Sequence, residues 1–150
     1  MSEEEFIYLR NGFLEQYYGE GWEYLLQYIE GITELGNTKC HGFHTDVSGY
    51  YDYEEVRDHI EEFDGYWEKV MAEEHTEEES YRLFVNNMSW RYLKQCVLYD
   101  IMYTNGTEEQ KQEYMANSQQ LYDDIMEYDI KFTENADPAF NIYVNPSYWA

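Results

Sequence analysis

Apolar residues recur along most of this chain at spacings of three and four, the period of a helix with one buried face. The first such stripe, Phe6, Leu9, Phe13 and Tyr17, predicts a helix from about Ser2 to Tyr18. Ser2 is placed to cap it, and Glu3, Glu4 and Glu5 lie at the positive end of its dipole. Gly19 and Gly21 then break or bend the chain. Trp22, Leu25, Ile29 and Ile32 form the stripe of a second helix, which stops at Gly36 and Asn37. A third helix begins near Asp52, where Tyr53, Val56, Ile60, Phe63, Trp67 and Val70 follow at alternating intervals of three and four. It is expected to run unbroken to Glu73–His75, with Gly65 costing roughly 1 kcal/mol relative to alanine.

Capping boxes open the remaining helices, Thr76-Glu77-Glu78-Glu79 and Thr107-Glu108-Glu109-Gln110. The helix after Thr76 is expected to reach Tyr103 and is apolar on two sides. Tyr81, Phe84, Met88, Tyr92, Cys96 and Tyr99 line one side, and Trp90, Leu93, Val97 and Ile101 another. Such a helix belongs at the centre of a bundle. The last helix presents Tyr114, Leu121, Ile125, Tyr128 and Phe132. From Thr133 onward, Pro138 and Pro146 interrupt the helical pattern. Phe140, Ile142, Tyr143, Val144, Tyr148 and Trp149 make this arm apolar enough to fold back on the bundle, with room for a short strand at Phe140–Val144. The expected fold is therefore all-α: one domain over residues 1–150, a compact bundle of about five helices around the helix near 77–103.

Charge changes this picture more than any motif does. The chain carries 32 acidic residues against 9 basic ones, a net charge of -23, yet 43% of it is hydrophobic and 19% aromatic. That apolar content builds a core, so the chain is not a disordered acidic tail. Its charge repels nucleic acids and anionic membranes and attracts basic protein surfaces. The acids concentrate between Asp52 and Glu79, where 13 stand against Arg57 and Lys69, a net -11 over 28 residues.

Within that segment Glu54, Glu55, Asp58, Glu61 and Glu62 share the face opposite Val56, Ile60, Phe63 and Trp67. Asp64, Glu68, Glu73, Glu74, Glu77 and Glu78 continue the row. Basic partners at i+4 are nearly absent, so neighbouring carboxylates repel by roughly 0.2–0.5 kcal/mol per pair. Solubility of a small domain asks for a net charge of only about 2–8. Side chains three or four apart on a helix have Cβ atoms ~5–6 Å apart. That is comparable to the spacing of phosphates along a DNA strand, with its ~3.4 Å rise plus winding. These eleven acids are thus candidates for occupying a Lys/Arg channel built for phosphates. The 18 tyrosines suit a protein interface, although Tyr28, Tyr92 and Tyr128 fall at core positions. The plainer alternative is a structural or adaptor protein whose acidic surface is only solvated.

Candidate chemistry is sparse. Cys40, His41, His44 and Asp46 lie together in the irregular segment 37–51 and match no zinc-finger or zincin spacing. A small-ligand or metal-binding helical protein using this loop is the rival of a different class. Cys40 and Cys96 are otherwise most simply two free thiols in a reducing compartment, with a single disulfide between them as the alternative. His59 sits beside Asp58 and Glu62 with no nucleophile, and the chain has no Glu-x-x-His unit, phosphate-binding glycine loop or nucleophile elbow. Neither a catalytic role nor a cofactor is expected. Arg91 and Lys94 are expected to pair with carboxylates across the bundle rather than bind phosphates. The opening Ser2-Glu3-Glu4-Glu5 lacks the character of a signal peptide, and no stretch approaches the ~20 apolar residues of a membrane span. The expected location is the cytoplasm.

By composition, size and helical character, rather than by any motif, the chain resembles phage-encoded DNA-mimic inhibitors, a class that includes anti-restriction and anti-CRISPR proteins. The resemblance implies a target: a bacterial defence nuclease or its DNA-recognition complex.

Overall fold

Helices form where the apolar spacing and the capping residues place them. The structure is a computed structural model that describes residues 1–36 and 50–128. Among these residues the α-helices are α1 (Glu3–Tyr18), α2 (Trp22–Gly36), α3 (Tyr53–Asp58), α4 (Ile60–Ala72), α5 (Glu77–Leu98) and α6 (Glu108–Glu127). A π-helical turn, Tyr99–Thr104, continues the end of α5. The described residues contain no strand, and the protein is an all-α helical bundle. The arm from Thr133, with its expected strand, and the loop residues Cys40, His41, His44 and Asp46 lie outside the described residues.

Three helix starts use the same reciprocal device. The Thr76 and Thr107 hydroxyls accept from the backbone N–H of Glu79 and Gln110, both at 3.2 Å, while those two side chains accept from the N–H of Thr76 and Thr107. Ser2 and Glu5 form a third such box. Each box satisfies two donors that a helix start otherwise leaves unpaired. Between α1 and α2, Gly19 and Gly21 adopt φ of 78° and 82°, a region costly for any residue with a Cβ.

α5 is the central helix, in contact with α1, α3, α4 and α6. Its two apolar sides serve two cores. Leu83, Trp90, Leu93 and Val97 join Leu14, Tyr18, Leu25, Tyr28, Val56, Phe63, Trp67 and Val70. On the other side Met88, flanked by Phe84 and Tyr92, packs on Leu121 and Ile125 of α6. A buried polar clasp joins the same two helices: Gln95 Nε2 donates to the Ser118 hydroxyl and to the Tyr114 carbonyl, and the Tyr114 hydroxyl returns a bond to the Gln95 carbonyl at 2.8 Å.

The structure corrects three expectations. The third helix is not continuous, because His59 (φ -108°, ψ 1°) divides it into α3 and α4. The break lets α3 lie on α5, where Arg57 Nε donates to the Val97 carbonyl at 2.6 Å, while α4 packs mainly on α2. The α1 stripe faces outward: Phe6, Leu9 and Phe13 are 54%, 56% and 58% exposed, and only Leu14 and Tyr18 are buried. Among the described residues, only the last turns of α1 meet the bundle, and no other described helix covers its earlier apolar residues. On α2 the inward face is Leu25, Tyr28 and Leu35, and Ile29 lies at the surface. Gly31 permits that rotation, since a Cβ there would stand 2.7 Å from the Phe63 ring.

Candidate acidic interface

Asp52 caps α3, its carboxylate accepting from the backbone N–H of Glu54 and Glu55 at 3.0 and 3.4 Å. This start aims Val56 into the core and leaves Glu54, Glu55 and Asp58 exposed. α4 repeats the arrangement, burying Phe63, Trp67 and Val70 while Glu61, Glu62 and Glu68 remain exposed. Glu73 and Glu74 follow in the turn, and Glu77 and Glu78 open α5, all exposed. The row therefore bends at His59 instead of following one helix face.

Asp64 departs from this row. It is half-buried, and one carboxylate oxygen accepts from both Trp90 Nε1 and Lys94 Nζ, each at 2.7 Å. It fastens α4 to α5 and is not part of the free surface. Glu78 pairs with Arg82 at 3.3 Å, an exposed i,i+4 pair worth at most about 0.5 kcal/mol. Glu62 accepts a 2.8 Å bond from the Tyr66 hydroxyl and thereby raises the tyrosine's pKa. Among the described residues, Glu54, Asp58, Glu61, Glu68, Glu73, Glu74 and Glu77 form no ion pair with Lys or Arg.

Each Lys and Arg of the described residues is engaged within the molecule. Arg57 and Arg82 donate to the carbonyls of Val97 and Tyr17, and Arg82 also lies 4.3 Å over the Tyr17 ring. Arg91 pairs with Asp124 at 2.7 Å, and Lys94 with Asp64, the cross-bundle pairing expected of them. Lys69 and Lys111 sit over the rings of Tyr24 and Tyr103, and Arg10 bonds Asn11 and Glu30. Few cations and many acids thus divide their roles: the cations join helices, and the surplus carboxylates face outward.

Other candidates gain little. Among the described residues no group of three or more His, Cys, Asp or Glu could hold a metal ion. Cys96 is a buried free thiol. His59 lies edge-on to Phe63, ring centroids 5.6 Å apart, at the junction of α3 and α4. A polar cleft of about 290 Å³ between α4, α5 and α6 is lined by Asp64, Arg91, Lys94, Glu113, Asn117 and Gln120 among others, and both cations in it already hold carboxylates. No described helix is long and apolar enough to cross a membrane.

Sequence reasoning missed two features. One is the burial of Gln95, Ser118 and Asp124, which occupy positions that periodicity marks only as helical. The other is the uncovered apolar surface of α1. No family model, curated protein or solved structure matches the chain.

Proposed function

We propose that this protein binds a basic, nucleic-acid-binding surface of a partner and blocks it, its carboxylates taking the place of phosphates. The supporting observation is the run of exposed acids on α3, α4 and the start of α5, of which Glu54, Asp58, Glu61, Glu68, Glu73, Glu74 and Glu77 form no ion pair with Lys or Arg among the described residues, while the chain's described cations are held in the fold. A surface that keeps unpaired like charges at its own expense gains when a Lys/Arg channel neutralises them and counterions leave. In this reading the interface is formed by Glu54, Glu55, Asp58, Glu61, Glu62, Glu68, Glu73, Glu74, Glu77 and Glu78, and Asp64 acts as their internal support. The resemblance to phage DNA-mimic inhibitors points to a cytoplasmic defence nuclease or its DNA-recognition complex as the partner. The protein itself performs no chemistry in this role and binds neither nucleic acid nor membrane.

The test is a pull-down at low salt followed by elution with excess duplex DNA. A phosphate-mimicking interface releases its partner to the DNA, and weakens roughly tenfold or more as salt rises from low to physiological levels. The E54K/D58K/E61K variant, folded by circular dichroism, should capture no such protein. Retention that ignores both DNA and salt would instead favour apolar contacts and remove this function.

A further inference from the structure

Charged residues make up 27% of the chain, yet none of the described residues lining one cleft between α2 and α5 is charged. The cleft holds about 350 Å³, toward the lower end of the ~300–1,000 Å³ of small-molecule pockets. Tyr18, Tyr28, Tyr51, Trp67 and Tyr92 line it with rings, and the exposed Ile29 and Ser89 stand at its mouth. Phe63, Trp67 and Trp90 hold the Tyr28 ring edge-on, with centroids 5.6, 5.2 and 5.7 Å away, so this side of the cleft is built before anything enters it.

The polar end of Trp67 adds a second observation. Trp67 is 4% exposed, and its Nε1 is buried without a hydrogen bond. The Tyr28 hydroxyl stands near enough to feel the indole dipole but outside hydrogen-bond geometry. An indole N–H can only donate, and buried donors are nearly always paired. One left unpaired on a residue that lines a cleft marks where an acceptor belongs.

We infer that this cleft binds a small, uncharged, flat aromatic molecule, a ring nitrogen or carbonyl of which accepts from Trp67 Nε1. Ring walls favour a flat aromatic ligand, which they meet by offset stacking or by their edges. Charge of either sign is selected against. An anion is repelled by the -23 chain. A cation finds no carboxylate among the described lining residues to replace its water, and the indole N–H turns its positive end toward it. The cleft shares no residue with the acidic row on α3, α4 and α5, so the two surfaces act independently.

Three molecules of nearly one shape test this on the full chain at neutral pH: quinoline, which has a ring nitrogen acceptor, naphthalene, which has none, and the N-methylquinolinium cation. Binding is read by NMR from the backbone amides of Ile29 and Ser89 and from the Trp67 indole N–H, identified by its loss in Trp67→Phe. Quinoline is expected to shift all three signals. Trp67→Phe should weaken quinoline about tenfold while leaving naphthalene within about twofold, because only quinoline loses a hydrogen bond. Ser89→Phe, at an exposed position that leaves the fold intact, should block the mouth and abolish binding of both. Absence of any shift at millimolar quinoline overturns the site, as does quinoline binding that Ser89→Phe leaves unchanged. Equal losses of quinoline and naphthalene in Trp67→Phe, or tighter binding of the cation than of quinoline, overturn the ligand chemistry.

Discussion

Trp90 and Asp64 are joined by a 2.7 Å hydrogen bond from the indole Nε1 to the carboxylate, and Lys94 donates to the same oxygen. Trp90 is fully buried at the meeting point of α2, α4 and α5, edge-on to Tyr28 and Phe63. One acid of a dense acidic segment therefore anchors the core while its neighbours face solvent. Asp64→Asn keeps an acceptor for Trp90 but removes the charge facing Lys94. A loss of about 1–2 kcal/mol is expected, and Asp64→Ala should lose more because the indole is then unpaired. Urea unfolding of the two variants gives the comparison; equal losses would mean that the indole bond contributes nothing beyond the ion pair.

Two glycines inside helices should respond with opposite signs. A Cβ at Gly31 meets the buried Phe63 ring, whereas nothing lies within 4 Å of one at Gly65. Gly31→Ala should destabilise by about 1–3 kcal/mol through forced repacking. Gly65→Ala should stabilise by up to about 1 kcal/mol through helix propensity. Thermal melts in dilute solution distinguish the two.

Leucines in one helix should separate just as sharply. Leu14 is 5% exposed and Leu9 56%. Leu14→Ala should cost about 2–4 kcal/mol, while Leu9→Ala should stay within about 0.5 kcal/mol. Similar losses at both positions would place the inward face of α1 where its sequence pattern does.

Alkaline pH should weaken the fold through its buried tyrosines. Burial raises the pKa of Tyr28 most, and those of Tyr18 and Tyr51 in the same direction. In the unfolded chain these hydroxyls ionise near pH 10, as tyrosines ordinarily do. Above that pH the folded state holds more protons than the unfolded one, so stability is complete below about pH 10 and falls as pH rises. Tyr28→Phe should leave stability at neutral pH nearly unchanged and flatten the alkaline decline, as followed by urea midpoints between about pH 8 and 11.

Helix positions were legible from the chain because they depend on local chemistry. The boxes at Thr76 and Thr107 are built from residues three apart, and the stripe Val56, Phe63, Trp67 and Val70 buries as its spacing predicts. The central place of α5 was also legible, since a helix apolar on two sides needs cover on both. So was the cross-bundle pairing of Arg91 and Lys94, because isolated cations in an acidic chain find carboxylates.

Three-dimensional contacts decided the rest. Spacing marks which residues share a face but not whether another helix covers that face, so Phe6, Leu9 and Phe13 on α1 look like core and stand in solvent. The turn at His59 bends the acidic row because α3 and α4 pack on different helices, a long-range demand that no local pattern records. Asp64 and Asp124 carry the same charge as the exposed acids, and donors reaching across from α5, Trp90 and Lys94 to the one and Arg91 to the other, turn them inward. The sequence by itself determined that this protein is helical and acidic; its tertiary packing decided which acids hold it together and which it leaves on the surface.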